Sequence, residues 1–290
     1  MIDMDIYVRR RAVNAVTMAL SGFAAVVGLV FLVWILWVTL KNGMGAIDSG
    51  LFTKITAYGD QGGLSNAIVG SLMMDLIALA ICAPVGVMAG TFLAEYANRT
   101  RLGAVIRFLN DILLSAPSIV LGLFVYMVVV LPMSKLTQGA VSFSGIAGAI
   151  ALALIGLPVI VRTTDEMLQL VPGTLREAAL SLGIPQWKLT VQVLMRAAVS
   201  GIVTGVLLAL ARLAGETAPL LFTAFGNNFM VLSPLEKTAS VPAAIYQYTN
   251  DPNPALHAIA WAGALLITLF VLVLSLSARW YLHRHKVTHD

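Results

Sequence analysis

Six apolar runs, each about as long as a lipid bilayer is thick, constrain this chain more than any other feature of its sequence. They lie at about 16–39, 66–95, 111–131, 143–162, 197–225 and 255–281. A hydrocarbon layer of about 30 Å takes roughly 20 apolar residues per helix, so runs this long and this numerous exceed what one soluble core requires. Composition agrees: 59% of the 290 residues are hydrophobic and 11% are charged, where a soluble domain carries about 25% charged residues. The expected fold class is all-α, a polytopic membrane protein with six transmembrane helices. The first run follows Arg9, Arg10 and Arg11, as a signal sequence would, but it exceeds the roughly 7 to 15 apolar residues of such a segment and no A-x-A-like site ends it. It reads as a retained span. Cys82 is the single cysteine and lies inside the second run, which excludes a disulfide framework and a thiol metal cluster.

Lysine and arginine accumulate in cytoplasmic loops. With six spans, the two tails and the loops after the second and fourth spans share one side. That side collects 13 of the 18 basic residues, against Lys41, Lys54, Lys135 and Lys237 on the other, with Arg212 on neither. Both termini are therefore expected in the cytoplasm. The organisation is a cytoplasmic tail at 1–15, a first span at 16–39, an external loop at 40–65, a core of five spans at 66–282 containing the cytoplasmic loop 163–196, and a tail at 283–290. The formal net charge of +4 reflects this sorting. Membrane lipid is the expected surrounding, and no compact basic and aromatic patch points to nucleic acid.

Pro84, Pro117, Pro158 and Pro219 each fall inside a run, where a ring without an N–H removes a helical hydrogen bond and kinks the chain. Gly86 with Gly90 and Gly201 with Gly205 have the spacing that lets helices approach closely; their plain reading is bundle packing. Four interrupted helices suit a bundle that rearranges better than an inert anchor.

Arg212 and Glu216 are the only charged residues between Ala197 and Phe225. Counted from Ala197, Arg212 falls about 22 Å along the fifth run at 1.5 Å per residue, close to the middle of the expected helix. An arginine there costs about 2.5 to 3.5 kcal/mol to insert, and something must offset it. One reading is an internal ion pair, since the i,i+4 spacing puts both on one helix face. The favoured reading is an anion site: a planar guanidinium offers paired donors to a tetrahedral oxyanion, and Glu216 holds the arginine between visits or accepts a hydrogen bond from a protonated oxyanion. Asp75 in the second run, Ser115 and Ser118 around Pro117, and Thr217 beside Glu216 are candidates for either a lining or a structural role. Asp75 could face Arg212, pair with a neighbouring subunit or sit at a watery vestibule. Serines within helices commonly bond their own carbonyls.

A phosphate-cradling P-loop needs a Gly-Lys pair, and the sequence has none, so the chain is not a self-contained ATPase of that type. A proton-coupled carrier relaying through Glu216 or Asp75 is one alternative. The loop 163–196 favours another. Pro172 stands where a helix starts, LREAALSL is strongly helix-forming, and Gly183 with Pro185 ends it. A short helix, a turn and a second helix lying against the membrane are expected. A connector has no need of Leu175, Ala178, Ala179 and Leu182 on one face, so a cytoplasmic partner is inferred.

Glu177-Ala178-Ala179, three further residues and Gly183 resemble the E-A-A-x-x-x-G coupling motif of ABC importer permeases. Val193 and Met195 stand where that motif has an apolar pair, and Arg196 where it usually has proline. The stretches LAEYANRTRLG, LSAPSIVLGLFVYMVVV, LVPGTLREAALSLGIPQWKLT and GIVTGVLLALARLAGETAPLLFTA are similar to the PstA-type permeases of phosphate importers, over roughly residues 64–282. The resemblance implies a MetI-like permease core in a bacterial inner membrane, without catalysis of its own. It implies as partners a homologous second permease, two copies of a cytoplasmic ATPase that use ATP and Mg, and an external phosphate-binding protein. By resemblance, Glu177, Ala178, Ala179 and Gly183 dock in the ATPase, and Arg212 and Glu216 line the passage for phosphate. No cofactor and no metal are expected on this chain. His283, His285 and His289 read as part of a disordered tail rather than as ligands. Tyr246 and Tyr248 in the external segment 226–254 read equally as receptor contacts or as interfacial aromatics. The alternatives are a permease for another tetrahedral oxyanion, such as sulfate or molybdate, and an ion-gradient-driven carrier or channel without ATPase partners.

Overall fold

A computed structural model describes residues 4–56 and 62–284. Among them the chain is helical apart from connecting loops and one isolated bridge between Phe225 and Thr238. In chain order the helices are α1 (Met4–Gly43), α2 (Ser49–Thr53), α3 (Ser65–Glu95), α4 (Arg101–Ser115), α5 (Ser118–Leu136), α6 (Gly145–Gln169), α7 (Gly173–Ser181), α8 (Gln186–Leu213), α9 (Ala218–Thr223), α10 (Val241–Thr249) and α11 (Pro254–Arg284). Six of these helical segments, α1, α3, α5, α6, α8 and α11, are long and apolar enough to cross a membrane. His285, Lys286 and His289 lie outside the described residues.

The bundle is built around α6, which packs along α3 on one side and α8 on another. Glycines make both approaches possible. A Cβ at Gly90 would stand 2.6 Å from the Val161 carbonyl oxygen, and one at Gly86 2.8 Å from Ile160. On α8, a Cβ at Gly201 would meet Met167 at 2.3 Å. The expected packing role of these glycines is what the helices use. Met74, Ala78, Cys82, Leu152, Ile155 and Leu213 close the centre as one apolar cluster. By contrast, α1 is exposed along most of its length and touches the rest through its far end, where Gly43 lies against Leu265 and Trp261 of α11.

Helix borders depart from the hydropathy runs for identifiable reasons. The expected tail at 1–15 is largely helical, because α1 already begins at Met4. The run 111–131 straddles two helices. Proline disfavours the helical region for the residue before it, and Ala116 accordingly sits at ψ 136°, which ends α4 and lets α5 begin at Ser118. The run 197–225 is likewise two helices, α8 and α9, parted at 214–217. The loop 163–196 narrows to 170–185, because α6 continues to Gln169 and the second helix expected in that loop is the beginning of α8. Pro84 and Pro158 remain within continuous helices, whereas Pro117 and Pro219 stand at helix starts. Two wide turns of i→i+5 type occur, at Tyr126–Val130 in α5 and Leu189–Leu194 in α8.

Candidate functional site

The interruption between α8 and α9 follows from local chemistry. Pro219 has no N–H to give the Gly215 carbonyl, and its ring excludes that carbonyl from helical geometry. The last turn of α8 tightens instead: the Gly215 N–H donates to the Arg212 carbonyl at 3.2 Å and the Glu216 N–H to the Leu213 carbonyl at 3.0 Å. The chain resumes as α9 with Thr217 at its cap position, giving no side-chain cap.

Arg212 thus stands in the final turn of α8, not in the middle of a longer helix as hydropathy suggests. It still lies deep in the bundle's thickness. Leu213 packs against Gly156 of α6, and Gly156 is 11 residues from Gly145 and 13 from Gln169, or about 17 and 20 Å from the two ends at 1.5 Å per residue. Pro219 of α9 packs against Gly122, whose Cβ would fall 2.5 Å from the Pro219 Cα. Ser118 is four residues, or about 6 Å along the helix, before Gly122, so the start of α5 lies close to α9.

The charges at this break are only loosely joined. Arg212 Nε is 3.8 Å from Glu216 Oε1, with side chains 39% and 16% exposed. Neither side chain has a hydrogen bond within the described chain. Within this chain the guanidinium lies outside the buried stripe of Ile202, Gly205, Ala209 and Leu213, on the face of α8 that also carries exposed Leu208. The carboxyl-terminal end of a helix carries partial negative charge that favours a cation, so the end of α8 adds to the compensation that Glu216 gives at 3.8 Å.

The other candidate lining residues divide. Ser115 donates its hydroxyl to the Ile112 carbonyl at 3.0 Å, an ordinary helical back-bond. Ser118 and Thr217 are half-buried beside the break. Asp75 is buried in α3, 5% exposed, and among the described residues forms neither an ion pair nor a hydrogen bond. It makes no ion pair with Arg212 and is buried within this chain. Of the two tyrosines, Tyr248 is buried with its hydroxyl 3.4 Å from the Gly63 carbonyl oxygen, while Tyr246 is exposed.

At the end of the bundle where α3 and α6 terminate, α7 projects as an arm. Glu177 and Ala178 are exposed, as are Leu175, Leu180 and Leu182, whereas Ala179 turns inward onto Val171, Leu189 and Leu194. Gly183 closes the helix at φ +73°, a conformation glycine adopts without the penalty a side chain would bring. Sequence reasoning missed how the arm is held. Arg176 donates to the Val171 carbonyl at 2.8 Å, the Leu168 carbonyl at 2.6 Å and Glu95 Oε1 at 2.8 Å. Gln186 donates to the Glu95 carbonyl at 3.2 Å. Close by, Arg107 of α4 makes a two-toothed pair with Asp165 at 2.7 and 3.0 Å and reaches the Leu93 carbonyl at 2.9 Å. This pairing holds the Arg107 pKa above its ordinary value, through the Asp165 hydrogen bond first. An unusual count of basic residues on this side was visible in the sequence, but their partners were not.

Comparison with known proteins adds the following. Residues 86–287 match the family described as binding-protein-dependent transport system inner membrane component. The chain is 55% identical over 286 residues to the phosphate transport system permease protein PstA of Xylella fastidiosa strain Temecula1, covering 98% of each chain. It is 49% identical over 278 residues to the protein of that name from Haemophilus influenzae, covering 96% of each. PstA 1 of Mycobacterium tuberculosis is 36% identical over 278 residues, which covers 93% of this chain. Among solved structures, a chain of the inward-facing MetNI methionine ABC transporter superposes with TM-score 0.56 at 18% identity, covering 76% of this chain and 94% of the other.

Proposed function

Because the chain belongs to the family of binding-protein-dependent transport system inner membrane components, we propose that it forms part of the translocation path of an ATP-driven phosphate importer. The observation that carries the substrate is identity of 55% along 98% of a phosphate permease. The break at Arg212 supports where that substrate passes. An oxyanion accepts paired hydrogen bonds from a guanidinium, and intramembrane charges that face a cavity mark substrate routes. Here Arg212 is exposed and 3.8 Å from its carboxylate, close enough for Glu216 to shield it and too far to occupy it. Glu216 also repels a bound dianion. The site therefore holds phosphate weakly, as passage requires, and selection is left to an external binding protein.

In this reading a second, homologous permease completes the path on the open face of α8. Two copies of a cytoplasmic ATPase, using ATP and Mg, receive the exposed face of α7 around Glu177, Ala178 and Gly183, with both termini of this chain on the same side. This chain itself carries out no chemistry. The test is reconstitution with candidate partners in proteoliposomes, measuring ATP-dependent uptake of phosphate against sulfate. Phosphate accumulation that stops on ATP depletion is the expected result. Accumulation driven by a proton gradient without ATP, or uptake of sulfate in preference, would overturn it.

A further inference from the structure

Among the described residues, the side-chain hydrogen bonds from the arm α7 to the bundle come from one guanidinium. Arg176 lies on α7, but all three of its acceptors lie elsewhere: Leu168 and Val171 at the end of α6, and Glu95 at the end of α3. A helix leaves its last carbonyls without intrahelical donors, and arginine side chains commonly fill that need. Arg176 does so for the α6 terminus while its third bond goes to a carboxylate that is only 6% exposed. Gln186, the first residue of α8, donates to the backbone carbonyl of the same Glu95. Three helices and the root of a fourth therefore converge on Glu95, and the guanidinium spreads its donors over a fixed planar fork that reaches acceptors on separate elements, where an ammonium presents three donors from one point.

We propose that Arg176, through Glu95, is the positioning residue that makes α3 and α6 move with α7. The consequence reaches the break by packing alone. The α3–α6 pair carries Cys82 and Gly156, and Leu213 packs against Gly156 next to Arg212. A displacement of α7 is thus delivered to the two helices that bear on the break, rather than being absorbed by the short links at 170–172 and 182–185. Without Arg176, α7 retains only Ala179 and its apolar neighbours as an anchor, and these contacts permit sliding because they are not directional.

The inference rests on the importer reading, and the experiment separates the two. The full complex, with its ATPase and binding protein, is reconstituted in proteoliposomes as wild type, R176K, E95Q and R176A/E95A. The double variant removes both charges, so no carboxylate is stranded. ATP hydrolysed per phosphate imported and the amount of ATPase retained in the purified complex are measured together. R176A/E95A is expected to keep its ATPase and its basal hydrolysis while consuming at least fivefold more ATP per phosphate, with R176K and E95Q intermediate. Wild-type stoichiometry in R176A/E95A would overturn the proposal. So would a loss explained fully by missing ATPase, which would make Arg176 an assembly contact. Failure of the wild-type complex to link phosphate uptake to ATP at all would instead remove the importer reading.

Discussion

Two arginine–glutamate pairs in this chain differ in almost every physical respect. Arg176 and Glu95 meet at 2.8 Å, are 26% and 6% exposed, and share their bonds with helix-terminal carbonyls. Arg212 and Glu216 stand 3.8 Å apart, are 39% and 16% exposed, and have no other bond within the described chain. The first guanidinium has its donors committed to the protein; the second has them to spare. A part-buried pair bonded to three acceptors holds parts together, while a charge kept deep in the bundle at an insertion cost and left uncommitted is suited to a visiting ligand. Sequence spacing would have suggested the reverse, since the loose pair is the one at i,i+4.

The contrast can be broken by substitution. The largest effect is expected for Arg176→Ala alone, which strands the Glu95 carboxylate. Leaving one partner of a buried pair costs about 3 to 5 kcal/mol, so the thermal midpoint of the purified complex should fall markedly, and the further change Glu95→Ala should recover part of the loss. Arg212→Ala strands nothing comparable. It should leave that midpoint and basal ATP hydrolysis near wild type yet lower phosphate uptake about 10- to 100-fold, the equivalent of a lost charged hydrogen bond worth about 1.5 to 3 kcal/mol. A fall in stability equal to that of Arg176→Ala would make the two pairs alike and remove the distinction. Glu216→Gln should change uptake only about two- to fivefold, because the carboxylate is not hydrogen-bonded to the arginine; a change of either sign in transport with no change in midpoint sharpens the contrast. At the small end stands Arg162, whose pairs with Asp111 and Glu166 lie at the surface. Exposed pairs add little, and Glu166→Gln is expected to leave both uptake and midpoint unchanged.

Much of the fold was legible because lipid imposes a coarse rule. Runs of apolar residues locate all six spans, and the E-A-A-x-x-x-G pattern locates α7. The break after Leu213 was not visible to the same rule, since residues 217–225 are as apolar as those before, and only the pairing of Gly215 with a proline four residues later marks it. The division at Pro117 was hidden in the same way: α4 contributes apolar residues to the run although it is a separate helix. Arg212 and Glu216 stood out by contrast with their surroundings, and their looseness did not, because it depends on side-chain placement at a helix end. Glu95 and Arg176 are 81 residues apart in the chain, and no periodicity connects them. Tyr248 similarly appeared equivalent to Tyr246 until its neighbours placed it inside.

The wide turn at Leu189–Leu194 has a consequence for everything above it in α8. Such a turn accommodates one residue more than an ordinary helical turn, and each residue of an α-helix advances about 100° around the axis. Rewinding those same residues as an ordinary helix would swing the guanidinium round by roughly that angle, away from the aspect it now presents, whereas deleting one of them would leave its bearing nearly unchanged. The compass bearing of Arg212 is thus set some twenty residues earlier, at the foot of the helix beside the arm.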